Sequence, residues 1–150
     1  MTWKLLHEEG GQKTFILVFA TGDEVMAGLE AFAVEHALSA AHFTAIGAFS
    51  EAVLGYFEWQ RKEYEQIPVQ EQVEVLTLAG DIAVKEDGTP QVHAHVVLGT
   101  RSGDARGGHL IEARVRPTLE VVLVESPAHL RRRMDPEAGV ALIQPLDEPR

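Results

Sequence analysis

The sequence predicts an α/β domain of the α+β type, with one long helix packed on a largely antiparallel or mixed β-sheet. Three observations carry this. Apolar residues recur at clear helical spacing in one long stretch only, and strand-like segments fill most of the remainder. The length of 150 residues suits a single domain over 1–150.

Residues 13–20 (KTFILVFA) form a short apolar run rich in strand formers and read as a buried strand. Thr21-Gly22-Asp23-Glu24 follows, a threonine with a glutamate three residues on, which has the form of a capping box. Behind it Val25, Leu29, Phe32 and Ala33 recur at helical spacing, and Met26 and Ala37 widen the stripe. This predicts the long helix over residues 23 to about 39.

From residue 42 the texture changes to Val, Leu, Ile, Thr and aromatics. Strands are predicted at 42–49, 52–58, 72–84, 91–100, 109–115 and 119–125, most of them separated by glycine or proline. Asp87-Gly88 marks a tight turn; Ser102-Gly103-Asp104 and Gly107-Gly108 mark a flexible loop. Residues 127–134 read as a short helix, 140–145 as a last strand and 147–150 as a frayed tail.

Composition narrows the function classes. The absence of cysteine removes disulfide scaffolds, thiolate metal sites and cysteine nucleophiles. There is no signal-peptide pattern and no apolar run long enough for a membrane span, so a soluble, cytoplasmic protein without a membrane partner is expected. Thirteen basic residues stand against 23 acidic ones, a net charge of -10. Affinity for nucleic acid comes mostly from cations on phosphates, so tight binding to DNA or RNA is not expected.

The chemistry concentrates in Gln91-Val92-His93-Ala94-His95-Val96-Val97-Leu98. Side chains alternate along a strand, so His93 and His95 share one face while Val92, Ala94, Val96 and Leu98 share the other. Gly107-Gly108-His109 supplies a third imidazole. Three neutral histidines with a vacant fourth position suit a catalytic zinc, and manganese, iron or nickel accept the same ligands. In a simple hairpin of 91–99 with 109–115, however, Gly99 faces His109. His95 then lies four residues further along, roughly 13 Å away. Either the two glycines let the chain fold back or another subunit supplies the third ligand. The plainer reading is two part-exposed strand histidines and an unrelated loop histidine. His7, His36, His42 and His129 have no comparable partners.

Other candidates are weaker. Glu74 and Glu120 are the catalytic candidates: a carboxylate near the imidazoles completes coordination or serves as a general base. Either also suits the solvent face of a half-exposed strand. Arg101, Arg106 and Arg114 flank the histidines and suit a small anionic ligand, or plain surface charge. Arg131-Arg132-Arg133 reads as a solvated helix end. Tyr56, Phe57 and Trp59 read as core or subunit interface. Nucleotide-phosphate cradles and serine-hydrolase motifs are absent.

Four stretches taken together resemble the plants and prokaryotes conserved domain, across roughly residues 12 to 125. They are Gly47-Ala48-Phe49-Ser50 leading to Leu54-Gly55-Tyr56-Phe57; Glu74-Val75-Leu76-Thr77-Leu78-Ala79-Gly80; His93-Ala94-His95; and Gly107-Gly108-His109-Leu110. Thr77 stands where the family pattern has serine. The resemblance implies a homotrimer and a fold-level kinship with acetolactate decarboxylase and related zinc proteins, whose ligand pattern His93, His95 and His109 match. Plant members resemble this chain in the domain but carry basic AT-hook segments outside it, and none occurs here. Two functional readings follow. One is a metal-dependent enzyme acting on a small anionic metabolite. The alternative is a non-catalytic DNA-associated or regulatory trimeric module.

Overall fold

The computed structural model describes residues 1–145, and strand dominates it: 67% strand against 8% helix. In chain order the elements are β1 (Thr2–Glu9), β2 (Gln12–Ala20), α1 (Val25–Glu35), β3 (Ala40–Glu58), β4 (Glu63–Val69), β5 (Val73–Val84), β6 (Pro90–Gly99), β7 (Ala105–Glu125), β8 (Arg131–Asp135) and β9 (Val140–Gln144). This overturns the expected α/β architecture of the α+β type, in which one long helix lies on the sheet. The fold is mostly β, and the one helix among the described residues is short.

Both helix ends have local causes. Glu24, not Thr21, is the N-cap, accepting from the backbone N–H groups of Met26 (3.2 Å) and Ala27 (2.6 Å). Thr21 instead donates its hydroxyl to the Pro117 carbonyl at 3.3 Å. At the other end Ala37 turns into the left-handed region (φ 50°), and the Leu38 N–H returns to the Ala33 carbonyl at 2.9 Å. The chain then enters β3 at Ala40. The apolar spacing continues past the helix because Leu38, Ala40 and Ala41 are buried, but they are buried from an extended chain.

The sheet has fewer and longer strands than expected in its middle. The segments predicted at 42–49 and 52–58 are one 19-residue strand, and those at 109–115 and 119–125 belong to one 21-residue strand. Register shifts between Gly47 and Phe49, Phe49 and Glu51, and Val53 and Leu54 let the two run side by side while bending. Strands β1 and β4 carry no buried apolar alternation, which is why no sequence signal marked them. The helix expected at 127–134 is absent. Residues 131–135 form β8, paired antiparallel with β9. The tail expected at 147–150 lies outside the described residues.

Strand β3 pairs with β5 and β7, and β6 pairs with β5 and β7 in turn, so these four strands close into a ring. Apart from the Val84–Arg131 contact between β5 and β8, every strand pairing is antiparallel. Helix α1 buries Val25, Leu29, Phe32 and Ala33 and packs on β6 and β7. One continuous apolar core results, with Phe15, Phe19, Phe32, Phe43 and Phe49 among its members. None of the described helices is long and apolar enough to cross a membrane.

Candidate metal centre

The site is set by two hairpins that share β6. In the first, Gly88 (φ 82°) closes the turn expected at Asp87-Gly88. The Lys85 N–H donates to the Thr89 carbonyl, and the Gly88 N–H to the Lys85 carbonyl, each at 2.9 Å. Counting outward from this turn places Ala83 opposite Gln91, Asp81 opposite His93 and Ala79 opposite His95. Val92, Ala94, Val96 and Leu98 are buried in the core, so strand alternation turns His93 and His95 to the opposite face.

The second hairpin removes the 13 Å objection. Its loop is closed by the Thr100 N–H on the Asp104 carbonyl (2.9 Å), so β7 begins at Ala105, four residues earlier than expected. Gly99 therefore pairs with Ala105, and His95 lies directly across from His109. Gly107 and Gly108 are not a hinge; they are paired strand residues opposite Val97 and Val96. Their lack of a side chain has a different use. A Cβ on Gly108 would lie 2.8 Å from the Gly55 carbonyl oxygen, so glycine lets β3 and β7 approach closely beside His109.

One chain thus brings the three imidazoles together. Their ring centroids are 5.0 Å (His93–His95), 5.1 Å (His93–His109) and 5.4 Å (His95–His109) apart. One nitrogen from each lies within 4.8 Å of those of the other two, and no other group of three His or acidic donors is so arranged among the described residues. Tyr64 of β4 stacks on His109 with centroids 4.6 Å apart, and Phe57 lies against Tyr64 at 5.2 Å.

The electrostatics favour neutral rings. Burial, then repulsion from His93 and His95, pushes the His109 pKa down to about 4. Burial, then the charge of His93, lowers that of His95. Both rings therefore keep a lone pair available at neutral pH, the protonation state a metal ligand needs. His109 Nδ1 is buried with no hydrogen-bond partner, an atom that an ion would satisfy. These residues fit a divalent cation.

Behind His93 stands a carboxylate that sequence reasoning missed. Asp81 Oδ2 lies 3.5 Å from His93 Nδ1, and Asp81 Oδ1 accepts from the Arg132 guanidinium. Burial raises the Asp81 pKa, but the His93 hydrogen bond and the Arg132 charge outweigh it and leave the carboxyl below its ordinary value. The register counted from Asp87-Gly88 is the signal that would have found Asp81. Arg132, expected on a solvated helix end, is instead buried on β8. Tyr64 was missed with the strand that carries it.

The other candidates lie elsewhere. Glu74 is opposite Gly99, five positions along β5 from the partner of His95, roughly 16 Å at strand rise. Glu74 and Glu120 line a separate cavity of about 560 Å³ with Ile46, Leu76, Pro117 and Thr118. Arg114 contacts Glu51 (3.7 Å) and the Gly22 carbonyl (3.3 Å). Arg106 pairs with Leu98, on the face away from the histidines, and Arg101 sits at the exposed loop tip. Tyr56 and Trp59 are 63% and 51% exposed, so they are not core.

Several solved structures share this fold. A plant- and prokaryote-conserved protein from Pyrococcus horikoshii is 30% identical, with a TM-score of 0.82 and coverage of 98% of this chain and 97% of its own. A protein from Archaeoglobus fulgidus described as metal-containing is 32% identical, with a TM-score of 0.80 over 96% of this chain and 99% of its own. A protein from Ralstonia eutropha JMP134, whose name proposes DNA binding, is 31% identical, with a TM-score of 0.81 over 87% and 90%. A Staphylococcus aureus protein similar to α-acetolactate decarboxylase is more distant: 13% identity and a TM-score of 0.50 over 72% of this chain and 50% of its own, a likeness of fold alone. No curated protein matches the chain. The family model for the Plants and Prokaryotes Conserved (PCC) domain matches residues 6–127, most of the chain and all three histidines, and the protein belongs to that family.

Proposed function

We propose that this protein is a metal-dependent member of its family, holding one divalent ion, zinc, on His93, His95 and His109. The observation that carries the reading is the convergence of three imidazole nitrogens within 4.8 Å, two of the rings being held neutral by their surroundings. The metal-containing description of the Archaeoglobus fulgidus relative supports it. A divalent ion on three neutral imidazoles with an open position supplies Lewis-acid polarisation of a bound oxygen. The ligand class proposed is a small anionic metabolite carrying a carbonyl or carboxylate.

The name of the Ralstonia relative favours a second reading, a DNA-associated module. The charge of -10 speaks against it, and the expected basic cluster is diverted, since Arg132 is buried on Asp81.

The test is metal analysis of protein purified without chelators or a histidine tag. Near one equivalent of divalent metal is expected in the wild type. His93→Ala, His95→Ala and His109→Ala should each lose most of it while keeping a native far-UV spectrum, because the core does not depend on the ion. A wild type that carries no metal and takes up none at neutral pH sinks the reading.

A further inference from the structure

The His93–Asp81–Arg132 chain links the candidate metal centre to a part of the molecule beyond the family match. That match ends at residue 127, while Arg132 belongs to the β8–β9 hairpin, which begins at Arg131. We propose that Arg132 is a positioning residue for the metal centre: it fixes the Asp81 carboxylate behind His93 and so sets the orientation of that ligand. The proposal rests on the metal reading above and adds a role for the C-terminal hairpin.

Four observations carry it. Backbone register places Asp81 directly across from His93, so the pairing does not depend on a flexible side chain alone. The two oxygens of Asp81 are divided, Oδ1 to Arg132 and Oδ2 3.5 Å from His93 Nδ1. Arg132 is 6% exposed and is the buried charged side chain of the described core. Its guanidinium also donates to the Ala141 carbonyl at 3.3 Å, which ties it to β9.

The physical consequence concerns freedom. A carboxylate on a half-exposed strand face rotates and exchanges its partners with water. A buried guanidinium that engages one oxygen holds the other in place, and leaving that guanidinium unpaired is costly. A carboxylate accepting from His93 Nδ1–H selects the tautomer whose Nε2 lone pair is free, and raises its basicity as a ligand. Arg132 touches neither the ion nor a substrate and acts through Asp81.

The competing role is purely structural, with the ion pair fastening the hairpin to β5. Zinc affinity, measured by competition with a chromophoric chelator on the full chain, separates the two. Asp81→Asn and Arg132→Met should each weaken zinc binding, by about 10- to 100-fold for the aspartate. The double variant should be no weaker than Asp81→Asn alone, and Arg132→Lys should recover part of the loss. In cobalt-substituted protein the visible d–d bands should shift in Arg132→Met. Wild-type affinity in Asp81→Asn, or additive losses in the double variant, overturns the proposal. If Arg132→Met melts the hairpin, Asp81→Asn and Arg132→Lys still decide it. A wild type that binds neither zinc nor cobalt ends the metal reading itself; a wild type that binds both, with variants that bind as well, ends only this inference.

Discussion

At the scale of single residues, the site is defined by what surrounds each imidazole. His109 is the extreme case, stacked under Tyr64 and facing two other rings, with its pKa pushed down to about 4 by burial and then by like charge. An unfolded histidine titrates near 6.5. Between these values the unfolded chain binds a proton that the folded chain does not. Stability of the metal-free protein is therefore full above about pH 6.5, falls as pH drops through the window, and stops falling from this cause below about 4. His95 acts in the same direction. We expect the metal-free melting temperature to drop between about pH 7.5 and pH 5, a window bracketing the free-histidine value. His109→Gln should have a visibly shallower drop, and an unchanged slope in that variant would show that His109 is not held neutral by the fold. The same depression should let the loaded centre keep its metal to lower pH than free imidazoles would, because protons compete less well for these nitrogens.

At the scale of elements, legibility depended on whether burial left a mark in the sequence. Residues 91–100 were readable because β6 alternates buried Val92, Ala94, Val96 and Leu98 with the histidines. His93 and His95 could thus be placed on one face from sequence alone. His109 could be named but not placed. Its position follows from where β7 begins, and Ala105-Arg106-Gly107-Gly108, with no large apolar or β-branched residue and its first three residues exposed, gives no strand signal. Asp81 lay within a correctly predicted strand and was overlooked because register, not residue type, is what joins it to His93. Strand β8 was misread because Arg131-Arg132-Arg133 looks like solvated charge, whereas pairing with β9 buries the middle arginine. The helix was overextended because an extended chain can bury Leu38, Ala40 and Ala41 as well as a helix can. Gly107-Gly108 carried a signal whose meaning was inverted, close packing rather than flexibility. Gly108→Ala tests this, since its Cβ would press within 2.8 Å of the Gly55 carbonyl oxygen. We expect a cost of roughly 1–3 kcal/mol from the forced separation of β3 and β7. Zinc uptake should weaken with it, because His109 is the next residue. A variant that melts and binds zinc like the wild type would show that the two strands have slack.

At the scale of the whole molecule, the unexplained feature is the outer face of the sheet. Val18, Glu120 and Ile46 lie in one row across β2, β7 and β3, and Ile16, Val122 and Thr44 in the next. Ile46 is 63% exposed and Leu76, beside it in the cavity with Glu74 and Glu120, is 56% exposed. Aliphatic side chains open to water on paired strands are costly unless another surface covers them. The homotrimer implied by the family resemblance is the occupant we propose, with closed symmetry using the same patches on each copy. It would also enclose Glu74 and Glu120, which line the cavity beside Ile46 and Leu76, Glu120 standing in the row between Val18 and Ile46. A trimer triples the net charge of -10 per chain, which weakens the case for nucleic acid further. Ile46→Glu should therefore place a third carboxylate in each copy of the patch, beside Glu74 and Glu120, and drive the subunits apart. Light scattering at micromolar concentration is expected to give a trimer mass for the wild type and a monomer mass for Ile46→Glu. Because the three histidines come from one chain, the dissociated variant should still bind metal. A wild-type monomer would mean that the exposed face serves something other than a second copy, and a dissociated variant that loses its metal would mean that neighbouring subunits complete the centre.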